Sequence, residues 1–203
     1  MLNIDSESQV VGGLLLARLA YLRHHGGSAL LERVLARLEP ADAEVLRRPI
    51  LPVSWYPRQL HLGIDEAIVS LVPPGDRADV LIEMGRASAD AILDRSYRQF
   101  IKHGAPQVFL EAVPRLYSAH HTVGRREFQP LAENVGSVRT FDMEPAAADD
   151  CWTVMGWLQR GLELSGAEAV LVTETSCRAA GAPCCEYRCE WHGAGGDESS
   201  CGR

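Results

Sequence analysis

The residues in this sequence best suited to chemistry are its cysteines and one glutamate. Five of the six cysteines fall within residues 151–189. The densest stretch runs from Glu174 through Cys177, Gly181, Cys184, Cys185, Tyr187 and Cys189 to Trp191. Cys177 and Cys185 are eight positions apart, with Gly181 midway, and Glu174 stands three positions before Cys177. Thiolates and a carboxylate at such spacing suit a tetrahedral zinc site, which takes four ligands of this kind. Cys151 is the candidate for the fourth. Four protein ligands leave no open position for water, so such a site ties structure together rather than catalysing. The alternative is that these cysteines are small buried core residues.

The flanking sequence predicts how these residues are positioned. The apolar run at 169–173 reads as a buried strand ending at Glu174. Gly181 permits a positive-φ turn that sends the chain back. A second strand begins at Cys185, with Cys185, Tyr187, Cys189 and Trp191 on one face and Glu186, Arg188 and Glu190 on the other. Cys184 competes with Cys185 but faces the opposite side, and Cys189 reads as core.

The run Cys177-x3-Gly181-x3-Cys185-x-Tyr187 resembles the closing motif of the 4-vinyl reductase domain family. That family is related in fold to haem-NO-binding domains and TRAPP vesicle-tethering subunits. The fuller set of Cys151-Trp152, Glu174, Cys177 and Cys185 is similar to the zinc site in sensory domains of aromatic-responsive transcription activators. The resemblance covers roughly residues 50–192 and is specific over 151–191. It implies zinc held by Cys151, Glu174, Cys177 and Cys185, and it favours Cys185 over Cys184. It also implies a hydrophobic or aromatic ligand between sheet and helices, near His103, Phe109, Phe128, Met155 and Val172. His103 would be the polar anchor. No tryptophan stands near Phe128-Gln129-Pro130, where the phenol sensors place an indole donor, so a phenol-specific pocket is not implied. Packing in the core is the alternative for Phe109, Phe128 and Met155, and a solvated helix end for His103.

Composition bounds the rest. The chain has 203 residues and a formal net charge of −7. That length accommodates one domain with a substantial core. The acidic balance argues against direct nucleic-acid binding, which needs a basic face. No apolar run reaches the length of a membrane span. The start is acidic and lacks a basic leader, so a cytoplasmic location with reduced thiols is expected.

The pattern predicts helices at 9–25 and from Ser28, separated by Gly26-Gly27, which form an N-terminal segment (1–48) and a candidate dimerisation arm. A ligand-binding domain is expected at 49–192 and a disordered tail, carrying Cys201, at 193–203. Within the domain, helical spacing recurs at Leu60, Ile64 and Ile68, and at Leu81, Gly85, Ala89, Ile92 and Leu93. A helix follows from Pro106, with Pro114 expected to kink or break it. A strand pair flanks Asn134-Val135-Gly136, and a helix starts near Cys151, capped by Asp149 or Asp150. His120 and His121 read as surface residues. The fold class is therefore α+β, with N-terminal helices packed on a small antiparallel sheet. The resemblance narrows this to the NO-signalling and Golgi-transport ligand-binding type.

No nucleophile elbow, phosphate loop or nucleotide fingerprint is present, so no enzyme is expected. The first reading is a sensory domain with structural zinc, a homodimer that signals to a protein partner. The alternatives are a TRAPP-like scaffold or adaptor and an accessory to tetrapyrrole metabolism.

Overall fold

In a computed structural model, the described residues are 8–143 and 146–193. The sequence expectations for the tail and for Cys201 lie outside them. Among the described residues the helices and strands follow in chain order: β1 (Gln9–Val11), α1 (Gly12–Leu35), α2 (Pro40–Arg47), β2 (Trp55–Pro57), α3 (Arg58–Val69), α4 (Arg77–Ser96), α5 (Pro106–His120), β3 (Arg125–Ala132), β4 (Val135–Phe141), α6 (Ala148–Leu164), β5 (Glu168–Ser176) and β6 (Cys185–His192). The class is α+β, as the pattern predicts.

Two apolar cores form. The first lies among α1, α3 and α4, where Leu15, Leu22, Ile64, Leu81 and Met84 are wholly buried. The second joins α5 and α6 to the larger sheet through Phe109, Leu110, Leu158, Val172, Tyr187 and Cys189. Full burial of each such side chain stabilises by about 1.5–3 kcal/mol. The segment at 1–48 therefore contributes to a core of its own chain, since α1 packs against both α3 and α4.

The larger sheet is antiparallel in the order β3-β4-β6-β5. Asn134, at φ 59°, makes the turn between β3 and β4. Asparagine tolerates this left-handed conformation better than most residues. α6 crosses over so that β6 inserts between β4 and β5. Tyr187, Cys189 and Trp191 face the helices while Arg188 is exposed, the alternation read from the sequence. The small sheet pairs β1 with β2; at three residues each, these strands are too short to leave a periodic signal.

α4 and α6 cross closely through glycines. A Cβ at Gly85 would fall well under 3.0 Å from the Thr153 carbonyl oxygen, and one at Gly156 equally close to that of Ile82. Both obstacles are backbone, so only glycine permits this approach.

Three expectations are modified. The break at Gly26-Gly27 is present as a non-helical Gly27 (φ 61°), but the helix resumes at once and α1 runs on to Leu35. Pro114 does not break α5, which continues from Pro106 to His120. Neither Asp149 nor Asp150 caps α6. Ala147 holds the N-cap position, and the two carboxylates in the first turn bind Arg77 and Arg58 instead.

Candidate functional site

The structure brings together the four residues singled out by their spacing. One ligand atom each from Cys151, Glu174, Cys177 and Cys185 lies within 4.8 Å of the others. Cys151 comes from the first turn of α6 and Glu174 from β5. Cys177 follows β5, and Cys185 opens β6 after the turn through Gly181 at φ 91°. The Cys151 and Cys177 sulfurs are 3.8 Å apart. The Arg178 backbone N–H donates to Cys185 Sγ at 3.3 Å. Glu174 Oε1 is buried with no hydrogen-bond partner.

The Cys185 thiol is drawn down to about 6, chiefly by a hydrogen bond from Cys151 and also by the Arg178 N–H. Cys151 is pushed up, first by that same bond and then by burial. Cys184 is buried beside it without joining it, and Cys189 lies in the core, with its thiol raised to about 12 by burial. Trp157 packs on Phe109, with ring centroids 5.2 Å apart, whereas Trp152 is exposed.

Of the five residues expected around an effector, four lie where helices meet the larger sheet. Phe109, Met155 and Val172 are buried in the second core, and Phe128 packs at its margin. His103 is exposed in the loop before α5, against Gly166. None of the five lines the cavities described next.

A second constellation lies where the two cores meet. A cavity of about 80 Å³ there is lined from α1, α3, α4, α5, β3 and α6. Arg18, 3% exposed, donates to both Asp65 carboxylate oxygens, at 2.6 and 3.0 Å. Its remaining bonds go to Ser88 Oγ and to the Met84 carbonyl. Arg58, 2% exposed, pairs with Asp150. His61, His120 and His121 complete the polar wall with Arg126.

Burial lowers all three imidazoles below their ordinary value, most strongly His121. His120 Nδ1 contacts the Leu116 carbonyl at 2.6 Å, so this nitrogen carries the proton. His61 Nε2 and His121 Nδ1 are buried and unpartnered. The expectation of surface histidines is corrected, because the end of α5 turns inward between the two cores. His61, Asp65 and Asp150 also place ligand atoms within 4.8 Å of one another.

A smaller cavity, about 20 Å³, lies between this constellation and the thiolate cluster. Arg126, Met143, Asp150 and Val154 line both cavities, and Cys151 and Cys185 line the smaller one. Asp150 and Cys151 are consecutive, so the first turn of α6 serves both sites.

Sequence reasoning missed this cavity because its residues are scattered from Arg18 to Asp150. A signal was present, however. Arg18 interrupts the apolar stripe Leu15, Leu19 and Leu22, while His61 and Asp65 flank Ile64 and share its helix face at i, i+4 spacing.

No family model and no curated protein matches the chain. Solved structures match it along nearly its full length. An H-NOX protein from S. oneidensis, in the Fe(II) ligation state, superposes with a TM-score of 0.71 at 15% identity, covering 92% of this chain and 98% of its own. A structure of an S. oneidensis H-NOX protein in the Fe(II)NO state gives 0.68 at 14%, with 90% and 99% covered. An oxygen-binding H-NOX domain related to soluble guanylate cyclases gives 0.65 at 13%, with 93% and 99% covered. The chain has the H-NOX fold.

These structures correct the expectation of zinc as the cofactor. The metal named for them is iron, in Fe(II) ligation states and as haem. Zinc rested on four side chains and their resemblance to another family, and it is withdrawn.

Nor do the cavities among the described residues fit a haem. The cavity holding the buried histidines is about 80 Å³, far below the ~300–1,000 Å³ that larger organic ligands occupy. Ion pairs and the glycine crossing of α4 with α6 hold its walls together. Two wider hollows, around Gln59 and Glu66, contain no histidine, cysteine, methionine or tyrosine to bind iron.

Proposed function

We propose that this chain is a non-catalytic sensory domain that binds a small polar molecule between its two cores and signals occupancy to a protein partner. The cavity lined by Arg18, Arg58, His61, His120, His121 and Arg126 carries this reading. Its ion pairs bridge separate elements: α1 to α3 through Arg18–Asp65, and α3 to α6 through Arg58–Asp150. A ligand that redirected one of these groups would change how the two halves sit together. A solved domain of this fold described as oxygen-binding, and others solved in Fe(II)NO and Fe(II)CO ligation states, support small-ligand binding as the class of function. The volume and polar lining favour a ligand smaller and more polar than an aromatic effector.

The receiver is proposed to be a protein. Leu51, Val53 and Trp55 are exposed on the segment leading into α3, the helix that carries Arg58, His61 and Asp65. This patch also supports the adaptor reading, and ligand response separates the two. The test is thermal unfolding of the purified chain against a panel of small anions, amides, alcohols and phenols. Saturable stabilisation by one class supports sensing. Silence across the panel, with a protein partner captured through Trp55 and lost in Trp55→Ser, would leave the adaptor.

The cluster of Cys151, Glu174, Cys177 and Cys185 is proposed separately as a set of metal ligands. Its chemistry favours a thiolate-preferring ion, and the unpartnered Glu174 Oε1 is an acceptor in want of a partner. Elemental analysis of the purified chain would identify the ion, and a metal-free, freshly reduced protein would refute the proposal.

A further inference from the structure

We propose that the cavity between the two cores binds a small monovalent oxyanion, of the size and charge of formate or nitrite, held by Arg126, His61 and His121. This rests on the reading of that cavity as the sensory site and gives its ligand a chemical class.

Charge is the first argument. Three arginines line the cavity, and two carboxylates, Asp65 and Asp150, answer two of them. Arg18 is satisfied by Asp65, Ser88 and Met84, and Asp150 pairs with Arg58. Arg126 donates through Nε to Thr140 Oγ1 at 3.0 Å, and its guanidinium lies 5.0 Å from the centre of the Tyr117 ring. Among the described residues it has no carboxylate partner. One positive charge is left over on a half-buried guanidinium at the cavity wall, where a counter-charge is worth more than in bulk water.

The second argument is independent of charge. His61 Nε2 and His121 Nδ1 are buried polar atoms with no partner. Leaving such an atom unsatisfied costs about 1–3 kcal/mol, and folded proteins seldom do so. His61 is 7% exposed, so bulk water does not reach it freely. An imidazole with its proton on the unpartnered nitrogen would donate to an oxygen in the cavity. Two such donors beside a guanidinium suit a group with two acceptor oxygens.

Size and sign then narrow the class. About 80 Å³ holds a few water molecules or a molecule of a few heavy atoms. A dianion would reverse the local charge instead of cancelling it. A divalent cation on His61, Asp65 and Asp150 would add two charges to a cluster that already carries one in excess. It would also have to take each carboxylate from its arginine.

The test is thermal unfolding of the metal-free chain near pH 7 in sodium formate or sodium nitrite, against sodium chloride at the same ionic strength. Wild type and Arg126→Gln are compared, and isothermal calorimetry gives the affinity. The glutamine keeps a donor for Thr140, and Arg126 is only half-buried, so the variant should fold; its circular dichroism verifies this. A saturable rise in Tm in wild type, with affinity at least tenfold weaker in Arg126→Gln, is the expected result. No saturable rise, or a rise that Arg126→Gln leaves unchanged, would overturn the proposal. So would stabilisation by Mn²⁺ or Fe²⁺ that EDTA reverses and Asp65→Asn removes, since the site would then be a cation site. The broader ligand panel keeps the two readings apart. A neutral ligand whose binding His61→Phe abolishes would sink the oxyanion and leave sensing intact, whereas silence in both experiments would sink both.

Discussion

Removing Asp65 should unfold this protein at a markedly lower temperature, and removing Arg18 along with it should restore most of the loss. Both residues are 3% exposed, and the guanidinium donates twice to the carboxylate, at 2.6 and 3.0 Å. Asp65→Ala leaves a buried cation with only Ser88 Oγ and the Met84 carbonyl as partners. Breaking a buried pair from one side costs about 3–5 kcal/mol. In a chain of this size each kcal/mol moves Tm by about 2–4 °C, so the single variant should melt roughly 6–20 °C lower. Arg18→Met with Asp65→Leu removes both charges and fills the space with apolar atoms. Such replacements are often neutral or stabilising. The Ser88 hydroxyl then loses its arginine, but it can turn back to the Met84 carbonyl four residues earlier. The assay is urea unfolding of wild type, Arg18→Met, Asp65→Leu and their double variant, read as a double-mutant cycle, with Asp65→Ala measured beside them. A loss below about 1 kcal/mol in Asp65→Ala, or a double variant as unstable as the sum of the singles, would refute the reasoning, which makes burial and not mere proximity the source of the effect.

Gly156→Ala should destabilise by about 3 kcal/mol, at or above the upper end of the usual overpacking cost, because its Cβ meets the Ile82 backbone oxygen and not a flexible side chain; an unchanged urea midpoint would contradict the close crossing. Stability should also fall as pH is lowered below about 6.5. His61, His120 and His121 are held by burial below the ordinary value, so the unfolded chain takes up protons that the folded chain refuses, at up to about 1.4 kcal/mol per pH unit for each histidine. Urea midpoints at pH 7.5 and 5.5 measure this, and a flat profile would mean that the imidazoles are solvated. Cys177→Ser should abolish any metal that elemental analysis finds in wild type and lower Tm; retention of the metal would exclude Cys177 as a ligand.

The two sites differ in how far they could be read from the sequence, and the reason is chain distance. Glu174, Cys177 and Cys185 sit on one hairpin, where strand alternation and a single glycine turn bring side chains together. Cys151 then needs only the crossover helix to return to the same sheet end, and the spacing carried that too. Spacing names candidate donors but not which ion, if any, they hold, and the expectation of zinc did not survive comparison with solved structures of this fold. The cavity depends on how α1, α3, α4 and α6 stack, and helical periodicity does not specify which helices meet. Local rules failed where tertiary partners outbid them: Asp149 and Asp150 have the composition of a cap, yet both are bound to arginines. Likewise His120 and His121 look like a polar helix end, yet tertiary packing buries His120 and leaves His121 half-buried with its Nδ1 enclosed.

The first turn of α6 is where the two constellations become mechanically dependent. A carboxylate there is favoured by the partial positive charge of the helix N-terminus, so Asp150 is held from two directions, by its own helix and by Arg58 of α3. The next residue, Cys151, belongs to the thiolate cluster, which joins α6 to β5 and β6. α6 cannot slide far along α4, since backbone meets backbone at Gly85 and Gly156. The motion left to it is a pivot about that crossing, which would move the Asp150–Cys151 turn relative to α3. An anion that drew Arg58 into the cavity would weaken the grip on Asp150 and bias that pivot. An ion held by the cluster, as proposed above, would resist it by tying Cys151 to the sheet. With the proposed anion in the cavity and an ion in the cluster, the two would act on one lever with opposite tendencies, the arrangement a bistable element needs if a small ligand is to produce a discrete change.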